Sequence, residues 1–260
     1  MKNKLINGRW NMIVPDSIAD WDGGTGNHAD RQGWEFCRFE SFDRHLRPGM
    51  TLFDVGAEHG WISAVLAKHY VGAENMVLFE PSPEFWVNIR KTWVANGLAA
   101  PLACWPGFVD NETSPTAFAT NLRDGWPSWC IDDRLPEVEA MAYRSLANGP
   151  SEIRAITIDD FCDISGIIPE VINIDVEGAE LKVLQGAERT LREDRPLVWV
   201  SVHPDLMQRD FGIDNVEVLF DFMASCGYGR EYLGTDHEQH NRFAPFEYVP
   251  PTEGKPWRSS

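Results

Sequence analysis

The sequence predicts an α/β fold built around a mostly parallel, doubly wound β-sheet. Short apolar, β-prone runs alternate with helix-like segments along most of the chain, an order typical of crossover connections between parallel strands. The run at 51–54 leads through the glycine loop Asp54-x-Gly56-x-x-x-Gly60 into a helix predicted over 61–70. A strand, a glycine loop and a helix start in this order form a Rossmann-like cradle of the kind that binds nucleotide-like ligands.

Composition limits the classes of function. The 260 residues are enough for one large α/β domain with extensions, and a hydrophobic fraction of 43% supports a buried core. The formal net charge of -17 argues against nucleic acid or an anionic membrane as a partner, because both require a basic surface. Five cysteines without a C-x-x-C pair argue against a disulfide framework and against a zinc site.

The sequence also bears on location. The first ten residues contain no continuous apolar run, so no signal peptide is expected. No segment reaches the roughly 20 apolar residues that a membrane span needs. We therefore expect a cytoplasmic protein without a membrane partner, and the sequence is compatible with a homo-oligomer.

The predicted organisation has one domain with additions. Residues 1–32 are expected to form an N-terminal arm or partial lid, 33–250 the α/β domain with an insertion loop at 111–150, and 251–260 a C-terminal tail. The insertion is longer than an ordinary connection, and long loops in compact domains are often lids. Two interpretations are open for Trp126 and Trp129 in this loop, which either stack on a substrate ring or pin the loop to the body.

Periodicity and capping signals predict the elements in order. Helices are expected over 33–46, 61–70, 83–96, 179–191 and 216–226, and strands over 51–54, 76–79, 102–109, 153–158, 171–175 and 197–203. Ser82-Pro83 is a strong start signal, since serine caps a helix and proline fits its first position. Asp214, with Glu217 three residues later, predicts the cap of the last helix. Two antiparallel runs, near 228–233 and 243–249, end the domain.

Acidic side chains at the ends of two predicted strands indicate a cofactor site. Asp54 at the first loop repels a pyrophosphate but suits a ligand that carries an ammonium and a sulfonium group. Glu80 lies about one strand–helix unit further along, where doubly wound nucleotide sites place an acid that binds ribose hydroxyls. The alternative for Glu80 is an ordinary solvated carboxylate.

Other polar groups follow further strands. Asp110, Asp175 and His203 also fall at or just past predicted strand ends. Because parallel sheets bind ligands beyond the carboxyl ends of their strands, we expect these side chains to share one rim with Asp54 and Glu80.

Several motifs together are similar to those of one protein family. They are Phe53-Asp54-Val55-Gly56-Ala57-x-x-Gly60, Phe79-Glu80-Pro81, Ile174-Asp175-Val176-Glu177-Gly178-Ala179-Glu180 with Leu184-x-Gly186-Ala187, and Val202-His203. In this combination the chain resembles the FkbM-type family of S-adenosylmethionine-dependent methyltransferases over about residues 35–235. It departs from the family pattern at Glu58, where the family usually has asparagine, and at Ser201, where it usually has an acid.

The resemblance implies a class I methyltransferase fold, with a seven-stranded sheet whose last strand is antiparallel. It also implies methyl transfer from S-adenosylmethionine to a hydroxyl of a sugar or a small natural-product-like acceptor. The residues that it assigns to the cofactor are Asp54, Gly56, Ala57, Glu58, Gly60, Glu80, Pro81, Asp110 and Asp175.

Catalysis is expected at Asp175 and His203. An acceptor hydroxyl has to lose its proton to attack a sulfonium methyl group, and this requires a base or a metal ion. His203 is the expected base, because the pKa of imidazole lies near neutrality; the alternative is a hydrogen-bonded core histidine. Three roles are open for Asp175: to orient His203, to bind the acceptor hydroxyl, or to hold a divalent metal ion such as Mg²⁺ together with Glu177 and His203. The cluster 236–240 lacks the H-E-x-x-H spacing and is expected to be a solvated loop.

Two other functions remain open on the sequence. One is an NAD-linked oxidoreductase on a related fold, which the G-x-x-x-G spacing disfavours. The other is a non-catalytic scaffold or sensor that binds S-adenosylmethionine. Binding measurements with S-adenosylmethionine and NAD separate the first from a methyltransferase, and a turnover assay separates the second.

Overall fold

The computed structural model describes residues 1–16, 35–114, 122–123, 125–127, 130, 154–236 and 238–250. The strands in these ranges are β1 Lys2–Ile6, β2 Trp10–Val14, β3 Leu52–Val55, β4 Met76–Phe79, β5 Ala103–Trp105, β6 Phe108–Val109, β7 Leu122–Arg123, β8 Trp126–Pro127, β9 Ala155–Ile156, β10 Val171–Ile174, β11 Leu197–Val202, β12 Tyr228–Thr235 and β13 Gln239–Pro245. The α-helices are α1 Phe36–His45, α2 Trp61–Leu66, α3 Pro83–Ala95, α4 Ile158–Ser165, α5 Glu180–Gln185, α6 Glu188–Glu193, α7 Pro204–Phe211 and α8 Glu217–Ser225. A π-helical segment, Ala67–Val71, continues α2, and a short 3-10 turn, Ala73–Asn75, precedes β4.

The main sheet confirms the predicted fold class. Its seven strands lie in the order β12-β13-β11-β10-β3-β4-β5. The strands from β11 to β5 run parallel, whereas β13, the last strand in the chain, is antiparallel to both of its neighbours. The chain runs outward from β3 through β4 to β5 and then returns to place β10 on the other side of β3. The crevice at such a reversal is where open α/β sheets bind ligands.

Apolar side chains cover both faces of this sheet. On one face, the hairpin β1–β2 and helices α1, α2 and α3 bury residues such as Met12, Phe42 and Trp86 against the strands. On the other face, helices α4 to α8 do the same with residues such as Phe161 and Leu219. Burial on both faces explains why the parallel strands are continuously apolar rather than alternating. No helix in the described ranges combines the length and the apolarity needed to cross a bilayer.

The N-terminus contains a hairpin that the sequence interpretation did not anticipate. β1 and β2 pair in antiparallel register from Lys2–Val14 to Ile6–Trp10. The turn begins with Asn7-Gly8, and both residues have positive φ angles, 48° and 66°. Asn-Gly between alternating apolar runs is a strong hairpin signal, so this element was predictable. Residues 17–32 of the expected arm lie outside the described ranges.

The third predicted strand is interrupted. The expected strand over 102–109 is wrong, because β5 ends at Trp105 and β6 belongs to a separate two-stranded parallel sheet with β9. Pro106 lacks the N–H that would continue the ladder. Gly107 lies close to the neighbouring backbone, since a Cβ at this position would be 2.4 Å from the carbonyl oxygen of Arg154. Asp110 therefore follows a short strand beside the main sheet rather than a strand of that sheet.

The predicted strand 153–158 is also shorter than expected. Within the described residues only Ala155–Ile156 is a strand, and helix α4 starts directly after it. The Thr157 hydroxyl caps this helix by accepting a hydrogen bond from the Asp160 amide at 2.9 Å. Asp159 and Asp160, which directly follow the predicted strand, belong to the first turn of this helix, where they suit the positive end of the helix dipole.

The second half of the chain contains more helices than predicted. The single helix expected over 179–191 is divided into α5 and α6 at Gly186, where a Cβ would be 2.1 Å from the carbonyl oxygen of Asp110. Helix α7 directly follows β11 and was not predicted. Asp214 is not the cap of α8, because the Glu217 amide donates instead to the Asn215 side chain at 3.0 Å.

Of the two tryptophans of the insertion, the structure describes Trp126 and not Trp129. Trp126 is buried and its ring meets that of Trp93 edge-on, with 5.9 Å between the centroids. It therefore pins its segment to the body of the domain, one of the two interpretations. Trp129 and most of the expected insertion 111–150 lie outside the described ranges, as does the tail 251–260.

Candidate active site

A cavity of about 780 Å³ opens at the carboxyl ends of the central strands. Its walls come from the segments that follow β3, β4, β6 and β10, with contributions from α1, α7 and the turn between β12 and β13. Of the five predicted rim residues, Asp54, Glu80, Asp110 and Asp175 line it. His203 does not line the cavity and lies behind residues that do. The volume lies within the range of ordinary cofactor and substrate pockets.

The glycine loop is shaped by packing within the protein. Gly56 has a φ of 89°, and a Cβ at this position would be 1.8 Å from the carbonyl oxygen of Asp175. Gly60 has a φ of 73°, and its Cβ would be 2.9 Å from Cα of Ile89 in α3. The close approach that these glycines permit is therefore to β10 and α3, while Ala57 between them lines the cavity.

Asp54 joins two neighbouring strands beneath the loop. Its buried carboxylate accepts a hydrogen bond from Nδ2 of Asn173 at 2.7 Å and another from the Ser63 hydroxyl. Burial raises the pKa of Asp54, and the two hydrogen bonds oppose that shift. The acid that the sequence identifies as a cofactor contact thus also couples β3 to β10.

Glu80 is not a solvated carboxylate. Its side chain is buried, with an exposed fraction of 4%, and lines the cavity together with Pro81. It accepts hydrogen bonds from the backbone amides of Glu58 at 2.9 Å and Ser82 at 2.7 Å. Burial raises the pKa of Glu80 to about 7, so the carboxylate is only partly ionised at neutral pH.

Asp175 and His203 come together as the sequence predicts. They follow the adjacent parallel strands β10 and β11, and Oδ1 of Asp175 lies 3.7 Å from Nε2 of His203. The same imidazole nitrogen lies 3.7 Å from Oε2 of Glu177 and makes a closer contact with Glu238. Nδ1 of His203, on the other side of the ring, faces Glu180 at 2.7 Å.

This environment gives His203 an unusual protonation state. Burial lowers the pKa of the imidazole, but the carboxylates of Glu180, Glu238 and Asp175 outweigh it and raise the pKa to about 11. The ring is therefore cationic at neutral pH when the carboxylates alone surround it. The pKa of Asp175 is raised well above its usual value, chiefly by burial and next by the Glu238 charge.

The sequence interpretation did not identify two of the carboxylates that contact His203. Glu180 was part of a quoted motif but received no role, although it is fully buried and also accepts a hydrogen bond from the Gly178 amide at 2.9 Å. The expectation of a solvated loop at 236–240 is wrong for Glu238 and His240, which are both buried. The β12–β13 hairpin folds this charged segment back against the site, a long-range contact that the local charge pattern does not encode.

Arg38 was also missed. Its side chain has an exposed fraction of 1% and lines the cavity from helix α1. Oxygen acceptors of Glu35, Asn173, Asp175 and Ser201 lie within 3.1 Å of its guanidinium nitrogens. A signal was present, because position 38 is four residues from Trp34 and from Phe42 on the apolar face of the predicted helix.

Carboxylates dominate the cavity wall. Nine Asp and Glu side chains line it, and Arg38 is the only lysine or arginine among the described lining residues. Three of the nine, Glu35, Glu58 and Glu177, have left-handed backbones with φ of 61°, 47° and 54°. Non-glycine residues rarely adopt this conformation, and such residues concentrate at functional sites.

Within the part of the chain that the structure describes, two groups of side chains place metal-ligand atoms close together. Asp175, Glu177 and His203, the group predicted from the sequence, each have one such atom within 4.8 Å of the others, and so do Glu35, Glu238 and His240. The second group is less suited to a cation, because the Arg38 guanidinium already lies 2.8 Å from Glu35. In the first group, the Nδ1 contact with Glu180 leaves Nε2 facing the carboxylates, which is the usual arrangement of a histidine ligand and its supporting acid.

The chain matches the family model described as "Methyltransferase FkbM domain" over residues 54–229. No curated protein matches the chain. Arg38 and Glu238 on the cavity wall lie outside the matched range, on either side of it.

Several solved structures are similar to this chain at low sequence identity. The crystal structure of methyltransferase FkbM from Methylobacillus flagellatus KT is 16% identical, with a TM-score of 0.47, and the match covers 80% of this chain and 51% of that one. This chain thus spans about half the length of that protein. M. jannaschii TYW2 in complex with AdoMet is 11% identical, with a TM-score of 0.43 and coverage of 91% and 83%. Aeropyrum pernix fibrillarin with natively bound S-adenosyl-L-methionine is 11% identical, with a TM-score of 0.39 and coverage of 76% and 67%.

Proposed function

Because the chain belongs to the FkbM methyltransferase family, we propose that it transfers a methyl group from S-adenosylmethionine to a hydroxyl of a sugar or a small natural-product-like acceptor. The observation that carries this proposal is the position of Asp175 on the cavity wall, 3.7 Å from His203 and at the sheet reversal where a cofactor is expected.

The cavity is chemically suited to S-adenosylmethionine. The methionine part of this cofactor carries an ammonium and a sulfonium group, which carboxylates stabilise. Glu80, held by two backbone amides in the wall after β4, is in the position where doubly wound folds bind ribose hydroxyls. The same carboxylates disfavour NAD, because its pyrophosphate adds negative charge to an already acidic cavity.

Methyl transfer to oxygen needs a place for the hydroxyl proton. Asp175 lines the cavity, so its carboxylate is positioned to hydrogen-bond the acceptor hydroxyl and take its proton. Its raised pKa makes it a stronger base than an ordinary aspartate. His203 lies directly behind and holds Oδ1 of Asp175 in place. This assigns contact with the acceptor to Asp175 and support to His203, whereas the sequence suggested histidine as the base.

The residues also fit a divalent cation. Asp175, Glu177 and Nε2 of His203 would hold it, with Glu180 on the opposite ring nitrogen. A bound cation would supply Lewis-acid stabilisation of the developing alkoxide. It would also leave His203 neutral, since a metal ligand nitrogen cannot carry a proton.

The charge of the cavity bears on the acceptor. The described wall carries nine carboxylates and one guanidinium, so an anionic acceptor that enters the cavity would be repelled. We therefore expect neutral or amine-bearing acceptors to be preferred over acceptors that carry phosphate or carboxylate.

The test is a turnover assay for S-adenosylhomocysteine with matched acceptors: a neutral sugar, the corresponding amino sugar, the uronic acid and the sugar phosphate, each with and without Mg²⁺. A methylated product from the neutral or amino sugar supports the proposal. Tight binding of S-adenosylhomocysteine without turnover across a broad hydroxyl panel would favour the scaffold or sensor. Preferred methylation of the phosphate or uronic acid would overturn the acceptor assignment.

A further inference from the structure

We propose that Arg38 is a positioning residue, which holds the Asp175 carboxylate in its productive orientation and connects it to the cofactor loop. The proposal rests on the proposed methyltransferase function and adds to it a residue outside the family-matched range. Arg38 belongs to helix α1, which precedes the glycine loop in sequence.

The contacts of Arg38 are directed at side chains rather than at backbone. Nη1 donates to Oδ2 of Asp175 at 3.1 Å and to the Ser201 hydroxyl at 2.6 Å, and it lies 2.8 Å from Glu35. Nη2 donates to Oδ1 of Asn173 at 2.7 Å. One guanidinium therefore spans the ends of β10 and β11.

The two oxygens of Asp175 face different partners. Oδ2 faces Arg38 and Oδ1 faces Nε2 of His203. Contacts on both oxygens restrict rotation of the carboxylate about χ2, which is otherwise a broad torsion. A carboxylate held in this way presents a defined direction to an acceptor hydroxyl, and catalysis depends strongly on such alignment.

The same guanidinium extends the connection to the cofactor side. Asn173 accepts from Arg38 through Oδ1 and donates through Nδ2 to Asp54 at 2.7 Å. A continuous chain of contacts thus runs from Asp54 through Asn173 and Arg38 to Asp175. It crosses the sheet reversal between β3 and β10, where cofactor and acceptor have to meet.

Charge explains why the residue is arginine. Glu35 is buried and Asp175 half-buried beside it, and carboxylates in such a place need a compensating cation. A lysine ammonium has the charge but lacks the planar fork that reaches Asn173 and Asp175 together. The substitution Arg38→Lys therefore keeps the positive charge and removes the planar fork, so it tests the geometry of the contacts apart from their charge.

The experiment compares Arg38→Lys with Arg44→Lys, a control on the same helix. Arg44 is largely exposed and lies 3.6 Å from Glu231, away from the cavity. For Arg38→Lys we expect kcat to fall by about 10²-fold, with acceptor KM and the Kd of S-adenosylhomocysteine within about twofold of wild type. Arg44→Lys should match wild type. In Arg38→Ala, added guanidinium ion should restore part of kcat, which a purely structural loss would not show.

A second variant covers the case in which both Arg38 variants fail to fold. Ser201→Ala removes the acceptor 2.6 Å from Nη1 and should also lower kcat without weakening S-adenosylhomocysteine binding. A folded Arg38→Lys with wild-type kcat, or Ser201→Ala with wild-type kcat when the Arg38 variants do not fold, would overturn the role of Arg38. Absence of turnover in the wild-type protein would count against the proposed function instead.

Discussion

Nδ1 of His203 lies 2.7 Å from Oε1 of Glu180, and the two side chains are buried together behind the cavity wall. This contact decides which nitrogen of the ring faces Asp175. With Nδ1–H donated to Glu180, Nε2 is directed at the carboxylates of Asp175, Glu177 and Glu238. We therefore expect this pair to support the proposed chemistry of Asp175.

The first prediction concerns loss of this support. His203→Ala should reduce turnover on the order of 10²–10⁴-fold, the range for a disrupted proton-transfer site, and leave S-adenosylhomocysteine affinity nearly unchanged because His203 does not line the cavity. Steady-state kinetics and calorimetry measure the two effects. His69→Ala, at a histidine outside the site, is the control. Near-normal turnover in a folded His203→Ala protein would make His203 a core residue.

A second prediction addresses the metal ion. Asp175→Asn removes a charge from the predicted ligand group and should lower turnover about as much as His203→Ala does. If a divalent cation is bound there, EDTA should abolish wild-type turnover and Mg²⁺ should restore it, while Asp175→Asn gains little from added Mg²⁺. Calorimetric titration with Mg²⁺ alone gives an independent readout. Full activity in EDTA would exclude the cation, and proton transfer to Asp175 would then stand by itself.

Glu80 gives a prediction about pH. Its pKa is raised to about 7 by burial, and the ionised carboxylate accepts stronger hydrogen bonds from ribose hydroxyls than the neutral acid does. Affinity for S-adenosylhomocysteine should therefore be full above pH 7 and fall as the pH drops below it, by up to about tenfold per pH unit.

The matched variants for Glu80 are Glu80→Gln and Glu74→Gln. Glu80→Gln should weaken binding by roughly 1.5–3 kcal/mol at pH 8, the value of hydrogen bonds to a charged group, and it should abolish the pH dependence. Glu74→Gln, at an exposed position, should leave the affinity for S-adenosylhomocysteine and its pH dependence unchanged. A pH dependence that persists in Glu80→Gln would assign the titration to another carboxylate.

The glycine loop supplies a prediction about stability. Gly56 and Gly166 both have positive φ, but only at Gly56 would a Cβ collide with backbone, 1.8 Å from the Asp175 carbonyl oxygen, whereas Gly166 has open space. Gly166→Ala should cost about 1–2 kcal/mol of unfolding free energy for the left-handed backbone. Gly56→Ala should cost clearly more. Chemical denaturation measures both, and equal losses would show that the loop shifts freely away from β10.

Much of the fold could be predicted from the sequence because its signals are local. The strand at 76–79, the start at Ser82-Pro83 and the crossover order depend on apolar runs and on turn chemistry within a few residues, and the structure has them where expected. Helix α7 was not predicted, although Pro204 occupies its first position, where proline is a helix-start signal.

The site was only half predictable. Asp54, Glu80 and Asp175 stand at strand ends, a position that the sequence pattern reveals, and all three line the cavity. Arg38 and Glu238 reach it from elements that are distant in the chain, and their charge is typical of solvated surface unless the tertiary contacts are known. The side chains that surround a buried charge come together only when the chain has folded, so a local sequence pattern does not reveal them.

The family-matched range and the cavity have different boundaries. Residues 54–229 contain the glycine loop, Asp175 and His203, but Arg38 enters from upstream and Glu238 from downstream. The family-matched range is thus flanked on both sides by elements that complete the cavity wall. A fragment trimmed to the matched range would keep the glycine loop, Asp175 and His203 and yet lack Arg38 and Glu238 on the cavity wall. We therefore expect residues on both sides of the matched range to contribute to turnover and to acceptor preference, together with those inside it.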